Sequence, residues 1–284
     1  MSLSINAYAK INLTLDITGR RSDGYHTLNS VMQSISLHDD ITIKSTCDKK
    51  ISVFCDEKAI PCGKDNIVYR AAELFFLYSG IQSEGVSFYI KKHIPLQAGL
   101  GGGSADAAAA IKLLNCFYCT GFSTEQLCRI GVKAGADVPF CIRCGTAFAQ
   151  GIGDKIVNVS PLPDCIILIC KPDLGISTAE AYAIADREGF GDIKYTENMI
   201  CALAHNNLSQ AALYLGNCFE NILKQEEIFK IKSAIVSAGA SGACMTGSGS
   251  AVFGLFKNGT EAEQCKNKLL EKYNHVFLCN PVRA

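Results

Sequence analysis

The chain has 284 residues, 48% of them hydrophobic and 19% charged, a composition that supports a sizeable buried core and excludes an extended disordered polymer. Lysine plus arginine equals aspartate plus glutamate at 27 each, so no global field favours nucleic acid or an anionic membrane, and neither is expected as a partner. The opening MSLSINAYAKINLTLDI lacks the basic-then-apolar layout of a secretory leader and no apolar run reaches spanning length, so a cytoplasmic protein is expected.

From Leu3 to Ile17 the chain alternates. Ile5, Ala7, Ala9, Ile11, Leu13 and Leu15 are apolar, while Asn6, Tyr8, Lys10, Asn12, Thr14 and Asp16 are polar. A period of two predicts a strand with one buried face and puts Lys10 and Asn12 side by side on the open one. The turn-like GRRSDGYHT follows, then strands at 27–37, 40–46 and 50–55. Asp65 or Asn66 caps a predicted helix, IVYRAAELFFLYSG, that stops at Gly80. Val86, Phe88 and Ile90 alternate again and feed the stretch HIPLQAGLGGGSADAAAA. Ser104 is the predicted cap of the alanine-rich helix, which runs to about Cys119 and is apolar on nearly all sides, as a buried helix is. Ser123 and Gln126 form a capping box for a helix ending near Gly135. Beyond residue 155 come a very apolar strand at 165–170, helices at 178–187, 198–204, 207–216 and 218–237, and strands at 251–256 and 275–278 flanking a helix capped by the Thr260–Glu263 segment. Two α+β layers in succession are expected, divided near GIGDK into domains 1–155 and 156–284.

Fifteen cysteines include two C-x-x-C pairs, Cys116/Cys119 and Cys141/Cys144, with 21 residues between them. That is near zinc-ribbon spacing. However, Cys116 continues a helix and neither pair sits in a glycine-bearing knuckle, so packing is favoured over metal. Cys165 and Cys170 read as small hydrophobes of a strand.

The glycine run at 99–103 needs a reason, because glycine is costly to order. A linker is not usually followed at once by Ala105 and Ala107–Ala110, whereas an anion site uses the N–H groups of such a loop and helix start. Two common phosphate motifs fail here. No lysine follows the loop as a Walker A sequence requires, and G-x-G-x-x-G lacks its last glycine in either frame. The alternating strands also suggest an antiparallel sheet rather than a βαβ unit.

The segment Pro95-Leu-Gln-Ala-Gly-Leu-Gly-Gly-Gly-Ser-Ala-Asp106 resembles the ATP-binding motif of the GHMP kinases (galactokinase, homoserine kinase, mevalonate kinase and relatives). Ala7–Leu13 and Met245–Phe253 resemble that family's other two motifs, in the same order along the chain. Arg21–His26, Gly135–Pro139, Lys171-Pro172 and Ile176–Thr178 are similar to the branch acting on a CDP-linked alcohol. The resemblance implies a two-domain α+β GHMP kinase fold, with an N-terminal ribosomal S5 domain 2-like layer, a C-terminal ferredoxin-like α/β sandwich, and the active site in the cleft between them. It implies an ATP-dependent kinase of isoprenoid precursor biosynthesis by the non-mevalonate route, phosphorylating the 2-hydroxyl of a CDP-linked methylerythritol, with Mg2+ expected; another alcohol, of the homoserine or mevalonate type, is the alternative.

Residue by residue, the match makes Asp137 the general base and Lys10 its partner. Alone, Asp137 reads as a turn aspartate stopped by Pro139, and Lys10 as a solvated strand lysine. The phosphates fall to Pro95, Leu96, Gln97, Ala98, Gly99, Leu100, Gly101, Gly102, Gly103, Ser104 and Ala105, with Ser104 placed to help metal or phosphate. Asn66 and Lys92 are assigned to the adenosine end, although Lys92 beside Lys91 also reads as plain solubility. Tyr25, His26, Thr178 and Tyr182 are carried to the cytidine pocket, Tyr182 standing where some relatives have phenylalanine. Asn12 is matched to the methylerythritol portion, and Gly247 and Gly249 to close approach of a C-terminal loop.

Overall fold

A computed structural model of the protein describes residues 2–82, 84–190 and 195–284. In chain order the elements are β1 (Ser2–Asn12), β2 (Thr14–Arg20), β3 (His26–Ser45), β4 (Ile51–Cys55), α1 (Ile67–Ser79), β5 (Val86–Lys91), α2 (Gly102–Phe117), α3 (Thr124–Ala134) and α4 (Val138–Arg143). There follow β6 (Thr146–Gly151), β7 (Lys155–Asn158), β8 (Ile166–Lys171), α5 (Thr178–Glu188), α6 (Thr196–Ala204), α7 (Leu208–Leu213) and β9 (Gly216–Asn217). The last are α8 (Cys218–Leu223), α9 (Glu226–Ser237), β10 (Gly242–Met245), β11 (Val252–Phe256), α10 (Gly259–Leu270) and β12 (His275–Cys279). The chain divides into two compact units, one of residues 1–9, 37–94 and 101–143, the other of residues 10–36, 95–100 and 144–284.

In the first unit the end of β3 pairs antiparallel with β5, Ile41 opposite Ile90 and Ile43 opposite Phe88, and β4 runs parallel to β5 on its other side. The helices are punctuated by their own side chains. Asn66 Oδ1 accepts from Val68 N at 2.8 Å, and Gly80 ends α1 at φ +69°. Ser123 and Gln126 close the expected box on α3 at 2.8 and 3.3 Å. α2 is buried almost all round, its Ala105 and Ala107–Ala110 letting neighbours come close. Helix α4 was not legible in advance. It begins directly after Asp137, with Pro139 in its first turn where a missing N–H does no harm, and Gly131 on α3 leaves room for Val138, which a Cβ would meet at 2.8 Å.

In the second unit β10-β11-β8-β12 form an antiparallel sheet, with Ile169 between Phe253 and Phe277. Its core includes Leu168, Cys170, Val252 and Phe256, with Ile231 and Ile235 from α9 and Ala262 and Leu269 from α10 packed on it. The early part of β3 pairs antiparallel with β2 and β6, β6 with β7, and β2 takes the short β9 as a parallel neighbour, Thr14 opposite Gly216.

Several expectations need correction. The alternating strand breaks at Leu13 into β1 and β2, and from Ala9 to Ile17 every residue is buried, so Lys10 and Asn12 are not on an open face. The strands expected at 27–37 and 40–46 are one continuous β3. Ser104 does not cap α2: Gly101 does, and Ser104 is the third helical residue. Asn258, not Thr260, caps α10, accepting from Thr260 N at 2.9 Å. The stretch 218–237 is two helices, broken where Lys224 adopts φ +47°. Cys116 and Cys119 lie at the exposed end of α2 whereas Cys141 is buried in α4. Burial pushes the Cys165, Cys170 and Cys218 thiols up to about 12, which keeps them neutral and lets them pack as hydrophobes.

Candidate active site

Within the second unit three distant segments knot together at Thr246. Its hydroxyl accepts from Asn12 N at 3.0 Å and lies 3.2 Å from the Gly99 carbonyl, to which it donates. Asn12 in turn takes the Lys10 ammonium on Oδ1 at 2.7 Å and donates through Nδ2 to Ser30 Oγ at 2.8 Å. Lys10 and Asn12 are neighbours, as their spacing predicts, but only 4% and 1% exposed. The glycine loop is tied down by its carbonyls: Ala98 O accepts from Ala251 N at 3.1 Å and Leu100 O from Lys10 N at 2.9 Å. A trans peptide sets each N–H opposite the preceding carbonyl, so the N–H groups of Gly99, Leu100 and Gly101 face away from these partners. Gly99, at φ +72°, admits no side chain, since a Cβ would lie 2.1 Å from Thr246 O. Gly247, at φ +58°, also lies against this loop, since a Cβ there would fall 3.0 Å from Gly99 O, and Gly249 N closes the turn on Thr246 O at 3.0 Å.

A second cluster of the same unit is aromatic. His26 is stacked on Tyr182 with centroids 4.6 Å apart and planes 20° from parallel, Phe190 meets the imidazole edge-on at 5.4 Å, and Tyr182 meets Phe219 edge-on at 5.1 Å. His26 Nε2 is 2.7 Å from Asp186 Oδ1, and Arg20 is 3.3 Å from Asp186 Oδ2. Tyr25, by contrast, is 61% exposed on a tight turn. That turn is built by Arg21, which donates twice to Asp23 at 3.2 and 2.7 Å, and by Tyr25 N donating to Asp23 at 3.2 Å. The Arg21 hydrogen bonds hold the Asp23 carboxyl below its ordinary value. Thr178 heads α5 and its hydroxyl lies 3.1 Å from that of Ser248.

In the first unit, α2 starts without a side-chain cap. Gly101 sits at φ +69° and the earliest intrahelical bond is Ala105 N to Gly101 O at 2.9 Å, so the first-turn N–H groups of Gly102, Gly103 and Ser104 have no carbonyl of their own helix. Gly135, two residues before Asp137, faces this start: a Cβ there would lie 3.5 Å from Ile67 and 3.8 Å from Ser104 Oγ. Asn66 spends its amide on the α1 cap and on Pro61 O at 2.7 Å. Lys92 is neither a solubilising charge nor extended into solvent. Its ammonium is buried between Asp39 and Asp106, 2.8 Å from Asp106 Oδ2. Burial works to lower it, but the two carboxylates outweigh that and hold it above the ordinary lysine value. Burial drives the Asp106 carboxyl up to about 8, and its Oδ1 is sealed without a partner.

Both family models for the GHMP kinases match, the N-terminal domain over residues 66–145 and the C-terminal domain over residues 191–275. The 4-diphosphocytidyl-2-C-methyl-D-erythritol kinase of Clostridium kluyveri is 41% identical over 280 residues, covering 98% of this chain and 99% of its own. The chain belongs to that family of GHMP kinases. A solved structure titled 4-(cytidine 5'-diphospho)-2C-methyl-D-erythritol kinase superposes with a TM-score of 0.83 at 29% identity, over 99% of this chain and 100% of that one. Homoserine kinase from Cytophaga hutchinsonii shares the fold with a TM-score of 0.80 at 16% identity, over 99% of this chain and 95% of that one. The α+β GHMP kinase fold expected from the three motifs is therefore the fold of the protein, and as a kinase of this family it takes ATP as its phosphoryl donor.

The sequence reading missed three residues of these clusters. Thr246 and Asp106 both stand within motif segments, but the motifs alone give neither of them a role of its own. Asp186 had a usable signal, since it follows Tyr182 by one helical turn and therefore shares its face.

Proposed function

We propose that this GHMP kinase transfers the γ-phosphoryl group of ATP to the 2-hydroxyl of 4-diphosphocytidyl-2-C-methyl-D-erythritol, a step toward isoprenoid precursors by the non-mevalonate route. The observation that carries it is the glycine loop, whose carbonyls are tied back onto the first and third motifs while its N–H groups, and those opening α2, are left for an anion. Residues 95–105 hold the phosphates. Asn66 and Lys92 serve the adenosine end indirectly, by fixing the starts of α1 and α2. Asp137 takes the proton of the attacking hydroxyl, and the Lys10 ammonium offsets the charge that grows on that oxygen. The alkoxide attacks the γ-phosphorus in line, the bond to the β-phosphate oxygen breaks, and ADP leaves with the electron pair. Asn12 meets the methylerythritol portion, while Tyr25, His26, Thr178 and Tyr182 hold the cytidine and Gly247 and Gly249 bring their loop close. We assign residues 1–155 mainly to ATP and 156–284 mainly to the alcohol.

Mg2+ fits these residues only as a phosphate-borne ion. Among the described residues no group of three or more His, Cys, Asp or Glu is arranged to hold a metal, and magnesium usually takes one or two protein ligands beside phosphate oxygens. Ser104 Oγ is the side chain at the helix start that would hold it, and the ion would neutralise phosphate charge there.

The test is ATP consumption with three alcohols: the CDP-linked one, homoserine and mevalonate. Only the first carries a ring for the His26 and Tyr182 cluster, and turnover with it alone is expected. Asp137→Asn and Lys10→Ala should each lose about 100-fold or more in kcat while keeping a native circular dichroism spectrum. Near-normal turnover in either variant refutes the role given to that residue.

A further inference from the structure

The nucleobase cluster contains a carboxylate that neither the motifs nor the relatives' names account for. Asp186 Oδ1 lies 2.7 Å from His26 Nε2, so the imidazole donates its Nε2–H there. The other oxygen, Oδ2, faces the Arg20 guanidinium at 3.3 Å. Asp186 and Tyr182 stand one turn apart on α5, so a single helix supplies both the plane that His26 stacks on and the acceptor that fixes its edge. Phe190 edge-on to the same ring completes the clamp. In a neutral imidazole one nitrogen donates and the other accepts. With Nε2–H given to Asp186, Nδ1 presents a lone pair, and Nδ1 makes no hydrogen bond to any described residue. Nor is it a sealed orphan, a condition that among the described residues belongs to Asp106 Oδ1.

We propose that Asp186 is a specificity-determining positioning residue. It holds His26 in the tautomer whose Nδ1 accepts a hydrogen bond from the 4-amino group of cytosine, and so rejects uracil, whose 4-oxo group would set a lone pair against a lone pair. This rests on the cytidine-linked substrate proposed above. The discrimination arises because a site built around one polarity of hydrogen bond leaves the wrong base unpaired.

The arrangement makes an unusual variant informative. Asp186→Asn keeps size and shape but has one oxygen and one amide nitrogen. Arg20 can only donate and so favours the oxygen; the amide N–H then turns toward His26 Nε2 and places the ring proton on Nδ1, a shift that the nitrogen-15 spectrum of the variant reads directly. The variant's imidazole then donates where the native one accepts.

The experiment measures kcat/KM for the CDP-linked alcohol and for its UDP-linked counterpart, in the native enzyme and in Asp186→Asn, Asp186→Ala and Asp186→Glu. Nitrogen-15 shifts of His26 are recorded alongside. The native enzyme is expected to prefer the cytidine compound and to carry its imidazole proton on Nε2. In Asp186→Asn the preference should fall at least about 10-fold, in the direction of uridine. Asp186→Ala, which removes the clamp without reversing it, should weaken both substrates, and Asp186→Glu should recover part of the native preference. An unchanged ratio in Asp186→Asn overturns the proposal, as does a native imidazole protonated on Nδ1. If the native enzyme turns over neither nucleotide-linked alcohol, it is the proposed function that fails, while the nitrogen shifts still decide between the two tautomers.

Discussion

Thr246 is small, but its hydroxyl joins residues that are far apart in sequence. It accepts from the buried Asn12 N–H and donates to the Gly99 carbonyl. Thr246→Val preserves the shape and removes the hydroxyl, which leaves both backbone groups wanting; each buried unpaired group costs about 1–3 kcal/mol. Thr246→Val should therefore lower the denaturation midpoint clearly and impair turnover further by freeing the loop, and Thr246→Ser should restore both. Equal midpoints for Val and native Thr would show that the knot is not held here. The sequence showed that Lys10 and Asn12 are neighbours, because a strand repeats every two residues. It could not show that they are buried, because what covers them, Leu100 and Thr246, arrives about 90 and 234 residues later. Asp186 was legible only by extending one helical turn from a ring already of interest.

Helix α2 and its preceding loop show what pattern rules see and what they overlook. The rules look for a side-chain oxygen before an apolar helix and found Ser104, whereas the chain enters through Gly101 in the left-handed region. The glycines of the run are not equivalent. Gly99 has no room for a Cβ, while Gly103 is helical and would place one 3.6 Å from Ile67, an ordinary contact. Gly103→Ala should fold well, gaining up to about 1 kcal/mol of helix propensity, and Gly99→Ala should lose midpoint and turnover together. Equal stability of the two variants, read by thermal unfolding, would contradict the close packing of Gly99 on Thr246. Elsewhere the long apolar pattern at 218–237 hid the break at Lys224, and the pairing of β9 with β2 joins residues about 200 apart, so no local window contains it. Gly216 is nevertheless pinned there, as a Cβ would fall 2.1 Å from the Tyr195 ring.

At the scale of the molecule, the order of three motifs along the chain made the fold class legible, whereas the composition of the two units was not. Residues 10–36 group with the C-terminal half, a consequence of strand pairings such as β3 with β6 rather than of any linker. The buried triad of Lys92, Asp39 and Asp106 gives the whole protein a pH dependence. Asp106 binds its proton up to about 8, against an ordinary 3.8, chiefly because burial disfavours its charge. Between those values the folded state holds a proton that the unfolded chain has released, so the contribution is full below 3.8 and is lost as pH rises through about 8. The limit is about 1.4 kcal/mol per pH unit, with the attraction of Lys92 already included in the value of about 8. The melting temperature should fall by a few degrees, on the order of 1 kcal/mol, from pH 6 to 8.5. Asp106→Asn, which needs no proton to be neutral, should flatten that slope. Parallel slopes for variant and native protein would remove Asp106 as its source.

Because Gly101 lends α2 nothing, the protein forgoes a stabilisation that almost any engineer would add. Asparagine tolerates the left-handed backbone, but under the function proposed above the change would be a mistake: its side chain would crowd the first-turn N–H groups assigned to a phosphate. On that proposal the weak entry into this helix is the cost of a phosphate site, and stabilising the protein there is expected to weaken its hold on ATP.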